Sequence, residues 1–467
     1  MYNITHIFDV DGNKYALDFQ NIVFCHLDDD THFEMEKILS TLDYDRNSMS
    51  GIALYIQNGF FITDIKYEER DNFYYDNTLY ISFAPIHDCN LSCKYCYASG
   101  GKATPNYKSQ FNEEKIDQLL DYIYVKKYSQ YFQYKFDFVS GGEPFLNQEL
   151  LELVLQKIRI KSEQHKKKTT IFIVTNGTLL NTNNIKMIDQ YDVFLGISID
   201  GPEKIHNLNR VYKNGTGSYQ NVVSGISTLK RLDVSNKLKD AWAMVVVTKS
   251  SGSLVNIMES CIALGFRRMQ MQIQRMSPKS SFHFQLSDLE QLKQNYKELF
   301  SHLIAWAKQG DLTRIKMIAN DNDSFGKYLA RLLLRKPVYY RCFAGKNKIS
   351  VAADGKIYPC DSFCGETNFC MGSIYGSDQA SSIREKFVQA SVENRGRCST
   401  CWARYLCGGD CYHNSFLFSN NIFDPDPFVC EINKFFIESA IDLLIRLKYI
   451  NENYISYLTR FLGAKSF

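Results

Sequence analysis

Between residues 78 and 308, strand-like and helix-like segments alternate, and nothing else in the chain restricts its fold so much. Short β-rich runs at Thr78–Ile86, Tyr134–Ser140, Thr169–Val174, Val193–Ile199, Ala241–Thr248 and Arg267–Gln274 are interleaved with helical patterns at Phe111–Lys127, Gln148–Ser162, Tyr219–Leu232, Leu254–Leu264 and Leu286–Lys308. Six strand–helix units in succession predict parallel strands joined by right-handed crossovers. The expected class is α/β, built as a partial (β/α)6 barrel. In such folds chemistry gathers at the C-terminal ends of the strands. Here each polar motif follows a strand.

After the first strand comes Asp88-Cys89-Asn90-Leu91-Ser92-Cys93-Lys94-Tyr95-Cys96-Tyr97, a Cys-x3-Cys-x2-Cys run. Three thiolates can hold three corners of a 4Fe–4S cluster and leave the fourth iron for a ligand that is not protein. A structural zinc site wants four protein ligands, and His87, the nearby candidate, lies outside the usual paired spacing. Gly141-Gly142-Glu143-Pro144 follows the second strand. Two glycines let backbone approach a neighbour closely, and a carboxylate accepts from an ammonium, although such a run by itself is usually a turn. Thr175-Asn176-Gly177 ends the third strand and reads equally as a helix-entry cap. Ser198-Ile199-Asp200-Gly201-Pro202 ends the fourth, with His206 and Arg210 beyond it. A guanidinium there can grip a carboxylate with its planar fork, whereas a lone Arg or His is more often a surface residue.

The cysteine loop, with aromatic Tyr95 before its last Cys, resembles the cluster loop of radical S-adenosylmethionine (SAM) enzymes. The resemblance implies a 4Fe–4S cluster on Cys89, Cys93 and Cys96. Its open iron would chelate SAM, and reductive cleavage would yield a 5′-deoxyadenosyl radical. Gly141, Gly142 and Glu143 resemble the family motif that meets the SAM amino group. Thr175 and Asn176 resemble its third-strand motif. Ser198 and Asp200, followed by Arg210 and His206, are similar to its fourth-strand motif near the SAM ribose and carboxylate. Nine of the fourteen cysteines fall between residues 342 and 430. Cys342, Cys360, Cys398, Cys401, Cys407, Cys411 and Cys430 resemble the SPASM extension of some of these enzymes. By that pattern Cys398, Cys401, Cys407 and Cys430 would hold a distal auxiliary cluster, and Cys342, Cys360 and Cys411 a proximal one. This makes three 4Fe–4S clusters in all. The proximal set is one ligand short. Some relatives carry a further Cys where Lys348 stands here, so Cys364 or Cys370 would complete it, or an iron would stay open. Asp361, directly after Cys360, resembles a catalytic base of sulfatase-maturing relatives, and also reads as the cap of a turn. Cys25 and Cys261 read as buried structural thiols.

Residues 1–75 match neither pattern. Short β segments at Ile4–Val10, Lys14–Phe19 and Asn21–His26, a helix over Thr31–Leu42 and further elements up to Ile65 suggest a winged-helix-like domain. In size and position it resembles leader-recognition domains of peptide-modifying enzymes. The expected domains are 1–75, a radical SAM barrel over 76–335 and a SPASM domain over 336–467. The formal net charge of +3 and the acidic run Asp28-Asp29-Asp30 argue against nucleic acid as a partner, and Lys166-Lys167-Lys168 reads as a solvated loop. No apolar run approaches a membrane span and no signal peptide is evident, so a cytoplasmic enzyme is expected, its thiols kept reduced.

The segment Cys398–Cys411 looks most like maturases that join a Cys sulfur to a β or γ carbon in a ribosomally made precursor peptide, the ranthipeptide and six-cysteine-peptide group. That resemblance implies a Cys-containing precursor as substrate and a reductase, flavodoxin or ferredoxin as electron donor. Alternatives are α-carbon thioether (sactipeptide) synthesis, carbon–carbon cross-linking, epimerisation, or sulfatase maturation. Outside the enzymes there remains an iron–sulfur electron-transfer or redox-sensing protein.

Overall fold

A computed structural model describes residues 5–41, 55–56, 60–61, 77–98, 110–139, 141–232, 237–376 and 380–464. The chain forms two compact units, both discontinuous in sequence. One comprises Met1–Asn72, Gln285–Arg341 and Ser391–Phe467, the other Phe73–Phe284 and Cys342–Ala390. These units cut across the three consecutive segments expected from the sequence.

The second unit is built on one nine-stranded sheet. Six strands stand in sequence order: β4 (Thr78–Phe83), β5 (Gln133–Phe138), β6 (Lys168–Thr175), β7 (Val193–Ser198), β8 (Trp242–Val247) and β9 (Arg268–Ile273). All neighbouring pairs among them are parallel, as the strand–helix alternation predicts. The sheet continues beyond β4 with β10 (Lys348–Val351), β11 (Lys356–Tyr358) and β12 (Gly372–Ser373). Here β10 lies parallel to β4, while β11 and β12 return antiparallel. This extension was not read from the sequence.

The two faces of the sheet differ because its strands alternate apolar and polar residues. Ile81, Phe136, Ile171, Leu195, Ile197, Ala243, Val245 and Met269 are buried on one face. Crossover helices α2 (Glu113–Asp121), α3 (Gln148–Gln164), α4 (Thr182–Gln190), α5 (Glu203–Asn209), α6 (Tyr219–Leu232) and α7 (Leu254–Ala263) connect the strands. Asn112 caps α2 by accepting from Lys115 N–H, with Glu113 and Glu114 in the first turn, where the helix dipole favours negative charge. Tyr80, Ser82, Lys135, Asp137, Met244 and Gln270 point to the other face, which is polar and only partly covered. Helix α4, missed in the sequence, is fixed by a reciprocal capping box between Asn181 and Asn184.

The first unit begins with a three-stranded antiparallel sheet, β1 (Thr5–Val10), β2 (Asn13–Asp18) and β3 (Val23–Leu27), followed by α1 (Asp29–Thr41). Asp11 and Gly12, both at positive φ, make the tight turn between β1 and β2. The elements expected between α1 and Ile65 lie largely outside the described residues. Helix α8 (Leu289–Lys308), expected to close the sixth strand–helix unit, instead packs on the long helix α13 (Pro427–Ile450). The reason is aromatic: Tyr296 lies edge-on to Phe436 at 4.5 Å, and Phe300 lies 4.3 Å from Phe325. Between them in sequence run α9 (Thr313–Ile318), α10 (Gly326–Leu333) and α12 (Tyr412–Ser419), with α11 (Ala380–Gln389) in the second unit and α14 (Asn453–Gly463) last. No helix among the described residues is long and apolar enough to cross a membrane.

Gly225 on α6 gives a test of this packing. A β-carbon there would lie 2.5 Å from the carbonyl oxygen of Gly177, just past β6. Gly225→Ala should gain about 1 kcal/mol of helix propensity yet lose about 1–3 kcal/mol to overpacking, since a backbone oxygen cannot swing aside. The expected outcome is a net loss of stability in denaturant unfolding. A stabilised variant would refute the close approach.

Candidate active site

The cysteine loop leaves the end of β4 and is pinned to the segment after α5. Ser92 N–H donates to the Val211 carbonyl at 2.7 Å and Lys94 N–H to the Asn209 carbonyl at 3.0 Å. Buried Tyr95 donates its hydroxyl to Asp200 at 2.5 Å. The same carboxylate oxygen accepts from Arg210 Nε at 3.0 Å, and the other accepts from Val246 N–H at 3.0 Å. The Arg210 guanidinium lies 5.4 Å from the Tyr95 ring centre. Asp200 N–H donates to His206 Nδ1 at 3.3 Å, while Nε2 of that ring meets Ser218 Oγ at 3.0 Å. Burial, and then the Arg210 charge, push the His206 pKa down to about 4, so the imidazole is neutral, as an acceptor at Nδ1 must be.

Burial lifts the Cys89 thiol to about 12 and the Cys93 thiol to about 11. Cys89, Cys93 and Cys96 also act on one another through their charges, so the three thiols lie near one another. Among the described residues no three His, Cys, Asp or Glu side chains close around a single metal-ion position. Three thiols on one loop match the three protein ligands of a cluster with an open iron. Taking up metal would expel their protons.

Glu143 occupies the next strand end. Its Oε1 accepts from Thr175 Oγ1 at 2.6 Å and Phe145 N–H at 3.2 Å, and its Oε2 from Asn176 N–H at 2.7 Å. Burial raises its pKa to about 7 against the pull of these bonds. Gly142 is required because a β-carbon there would fall onto the Asp88 backbone. Glu143 N–H donates to that same Asp88 carbonyl at 2.8 Å. Asn176 Nδ2 bonds Asn90 at 2.8 Å and lies 3.8 Å from Cys89 Sγ. The glycines, Thr175 and Asn176 thus clasp the cysteine loop from β5 and β6. Ser198 is buried at the end of β7.

On the polar face of the sheet, Asp361 is held by three groups. Lys348 Nζ lies 3.2 Å away, Tyr97 donates its hydroxyl at 3.0 Å, and Ser82 Oγ donates at 3.4 Å. Burial raises the Asp361 pKa, but the Lys348 charge and the hydrogen bonds from Lys348 and Tyr97 outweigh it, so the carboxyl stays below its usual range. Asp137, next to Ser82 on the neighbouring strand, is pushed up to about 6 by burial. Lys348 also feels the charges of Cys360 and Cys342. Cys364 Sγ lies 3.2 Å from Ser350 Oγ, and Cys370 Sγ 3.5 Å from the Gly372 carbonyl. Tyr97, Ser82 and Asp137 escaped the sequence reading. Tyr97 was one residue from a motif, and the other two were signalled only by polar positions alternating with apolar ones along a strand.

Cys398, Cys401, Cys407 and Cys430 all belong to the first unit, and their charges act on one another. Cys411 lies in that unit too, whereas Cys342 and Cys360 lie in the second.

Residues 83–284 match the model of the radical SAM superfamily. That segment belongs to the radical SAM superfamily. The cysteine-type anaerobic sulfatase-maturating enzyme of Clostridium perfringens is 24% identical over 378 residues, covering 77% of this chain and 95% of the relative. The solved structure of native anSMEcpe with bound AdoMet and Cp18Cys peptide aligns with a TM-score of 0.63 at 21% identity, covering 80% of this chain and all of that one. Streptococcus suis SuiB bound to S-adenosylmethionine aligns with a TM-score of 0.50 at 14% identity, over 91% of this chain and 98% of that one. Both structural likenesses establish the fold. The residues of this chain fit the cofactors the matched family implies: a thiol triplet on one loop, a buried carboxylate able to receive an ammonium, and a buried guanidinium whose charge acts on Cys93.

Two outcomes follow. Replacing Cys89, Cys93 and Cys96 by Ala should lower iron by about four per chain, one cubic cluster, and abolish 5′-deoxyadenosine formation. Iron analysis and chromatography of the nucleoside check this. A carboxylate accepts an ammonium only when ionised, so SAM affinity should rise with pH through about 7, by about tenfold between pH 6 and 8. Glu143→Gln should flatten this profile in equilibrium binding.

Proposed function

We propose that this radical SAM enzyme modifies a cysteine or serine side chain within a peptide or protein, with Asp361 taking the thiol or hydroxyl proton. When bound, a 4Fe–4S cluster with SAM supplies a 5′-deoxyadenosyl radical that removes hydrogen from carbon. Glu143 orients the SAM ammonium, and Asp200 holds Tyr95 and Arg210 so that the cysteine loop keeps its shape. Gly141, Gly142, Thr175, Asn176 and Ser198 complete that cradle. The observation that carries the reading is the Asp361 carboxylate, kept ionised by Lys348 and tied to Tyr97, the residue directly after Cys96. Similarity to sulfatase-maturating enzymes over most of the chain supports oxidation of the side chain to an aldehyde as the first reading.

A second reading is favoured by the β1–β2–β3 sheet and α1 at the N-terminus. A sheet edge accepts an extended peptide as an added strand, which suits leader recognition by residues 1–75. The product would then be a thioether from a Cys sulfur to a β or γ carbon of a precursor peptide. On either reading Cys342, Cys360, Cys398, Cys401, Cys407, Cys411 and Cys430 serve as auxiliary-cluster ligands, and a flavodoxin, ferredoxin or reductase supplies electrons.

Mass analysis of a Cys-containing peptide after turnover separates the two. Thioether formation removes about 2 Da per link and leaves the donor resistant to alkylation. Aldehyde formation expels sulfur and gives a carbonyl reactive toward hydrazide. Asp361→Asn should slow either product by ~10²-fold or more, with iron content and 5′-deoxyadenosine formation retained. Wild-type product rates in that variant would rule Asp361 out as the base.

A further inference from the structure

We infer that a buried guanidinium and two hydrogen-bond donors gathered at Cys407 stabilise the reduced form of the cluster held by the C-terminal cysteine quartet, so that this cluster is tuned to take up an electron. The inference rests on the reading of Cys398, Cys401, Cys407 and Cys430 as cluster ligands, and adds to it the residues that set the cluster's potential.

Arg331 on α10 is buried, and its Nη1 donates to the carbonyls of Leu406 at 2.6 Å and Cys407 at 3.2 Å. Its Nε has no hydrogen-bond partner among the described residues. The carboxylate beside it, Asp321, is 4.0 Å away with a side chain 62% exposed. Arg395, fully buried, donates to the Asp410 carbonyl at 2.7 Å and Ser415 Oγ at 2.8 Å, and its Nε is likewise unpartnered among the described residues. Its charge acts on Cys398. Arg395 has the buried carboxylate of Asp410 nearby, joined to it through Ser415 Oγ, but Arg331, whose carboxylate neighbour Asp321 is exposed, calls for a further anion, because an uncompensated buried charge is strongly destabilising. A 4Fe–4S core on four thiolates is such an anion, and gains one more negative charge on reduction.

The sulfur of Cys407 is the best-provided acceptor. Asn433 on α13 donates Nδ2–H to it at 3.3 Å. The hydroxyl of Tyr328, fully buried one turn before Arg331, has no oxygen or nitrogen partner among the described residues and lies beside Cys407. As a thiol, Cys407 points its own proton at the Gly409 carbonyl at 3.6 Å. As a ligating thiolate it can only accept, and Asn433 and Tyr328 are then both matched to it. Hydrogen bonds to cluster sulfurs and local charge are what tune such potentials. Donors favour the more negative, reduced state and raise the potential.

The test uses the full chain, anaerobically loaded with iron and sulfide, with Cys89, Cys93 and Cys96 replaced by Ala to remove the first cluster's signal. Electron paramagnetic resonance monitors a redox titration of Tyr328→Phe, Asn433→Leu and the double variant. Tyr328→Phe deletes only a hydroxyl that bonds no oxygen or nitrogen, so folding is not at stake. The expected result is unchanged iron content and a reduction equilibrium about tenfold less favourable in the double variant, ~59 mV for one electron. Unchanged potentials at full iron content would overturn the inference while leaving the quartet's role intact. If Cys407→Ala and Cys430→Ala bind as much iron as the parent, the quartet holds no cluster, and the inference falls with the reading beneath it.

Discussion

The carboxylate of Asp200 is the joint on which the site depends. It sits just past the end of β7, yet its two oxygens engage three other parts of the chain: Tyr95 in the cysteine loop, Arg210 after α5, and the backbone of β8. Its backbone N–H engages a fourth group, His206. Removing one partner of such a buried pair leaves the other charge uncompensated, at about 3–5 kcal/mol. The effect would reach Cys93, because Arg210 is the group that most lowers its thiol pKa. Resemblance placed Asp200 among the residues that touch SAM. Its bonds within the protein hold the loop from which Cys93 and Cys96 project. Gly142, Thr175 and Asn176 likewise touch the cysteine loop or the carboxylate of Glu143.

Much of the second unit was legible because its signals are local. Each of the six parallel strands and most crossover helices announce themselves by a hydrophobic period within ten or twenty residues, and the observed bounds agree with the expected ones to within a few positions. Helix α4 was missed because Thr182–Gln190 carries two asparagines in its first turn, which by propensity favour a loop. Only the reciprocal bonding of Asn181 and Asn184 turns them into a cap. What stayed invisible is long-range. Nothing near Lys348 says that Ser350 will stand beside Ser82 in a parallel pair. Nor does the amphipathic pattern of Leu286–Lys308 say which apolar surface it will cover, and it covers α13 rather than the sheet. The division of the C-terminal cysteines between the two units was not legible either.

The first unit shows how a polar interior can be made specific. Asp18 at the end of β2 accepts from the backbone of Gln20, Asn21 and Phe61, so the strand end and the segment around Phe61 are fixed by one buried carboxylate. Tyr15 on β2 donates to Asp442 of α13 at 2.5 Å, and Arg446 holds the same oxygen at 2.9 Å. His6 stacks on Trp402 with ring centres 3.6 Å apart and meets Glu438 at 3.0 Å. The N-terminal sheet is therefore packed against the loop that carries Cys398, Cys401 and Cys407. Deleting residues 1–75 would strip contacts from α13 and Trp402 as well as any peptide-binding edge. A change in peptide affinity after that truncation would carry a structural contribution, whereas single substitutions on an exposed strand edge would not.

On the polar face of the sheet the Lys348 ammonium acts on two carboxylates unequally, and this decides which of them holds a proton. Lys348 is at 3.2 Å from Asp361, and the Tyr97 hydroxyl adds a second donor, so Asp361 is free of a proton at neutral pH. Asp137 receives only the longer-range pull of Lys348 and Lys135, and burial together with the Asp361 charge lifts it to about 6. A base must be unprotonated before it can work, and its strength falls as its pKa falls. Asp361 meets the first condition at the expense of the second. Transfer of a substrate proton to it would free the Lys348 charge from its partner, and that charge would then weigh more on Asp137 and on the new substrate anion. The total charge of the group is the same before and after the transfer. In a half-buried site this conservation matters more than the driving force of any one carboxylate, because no step has to create a net charge out of contact with water.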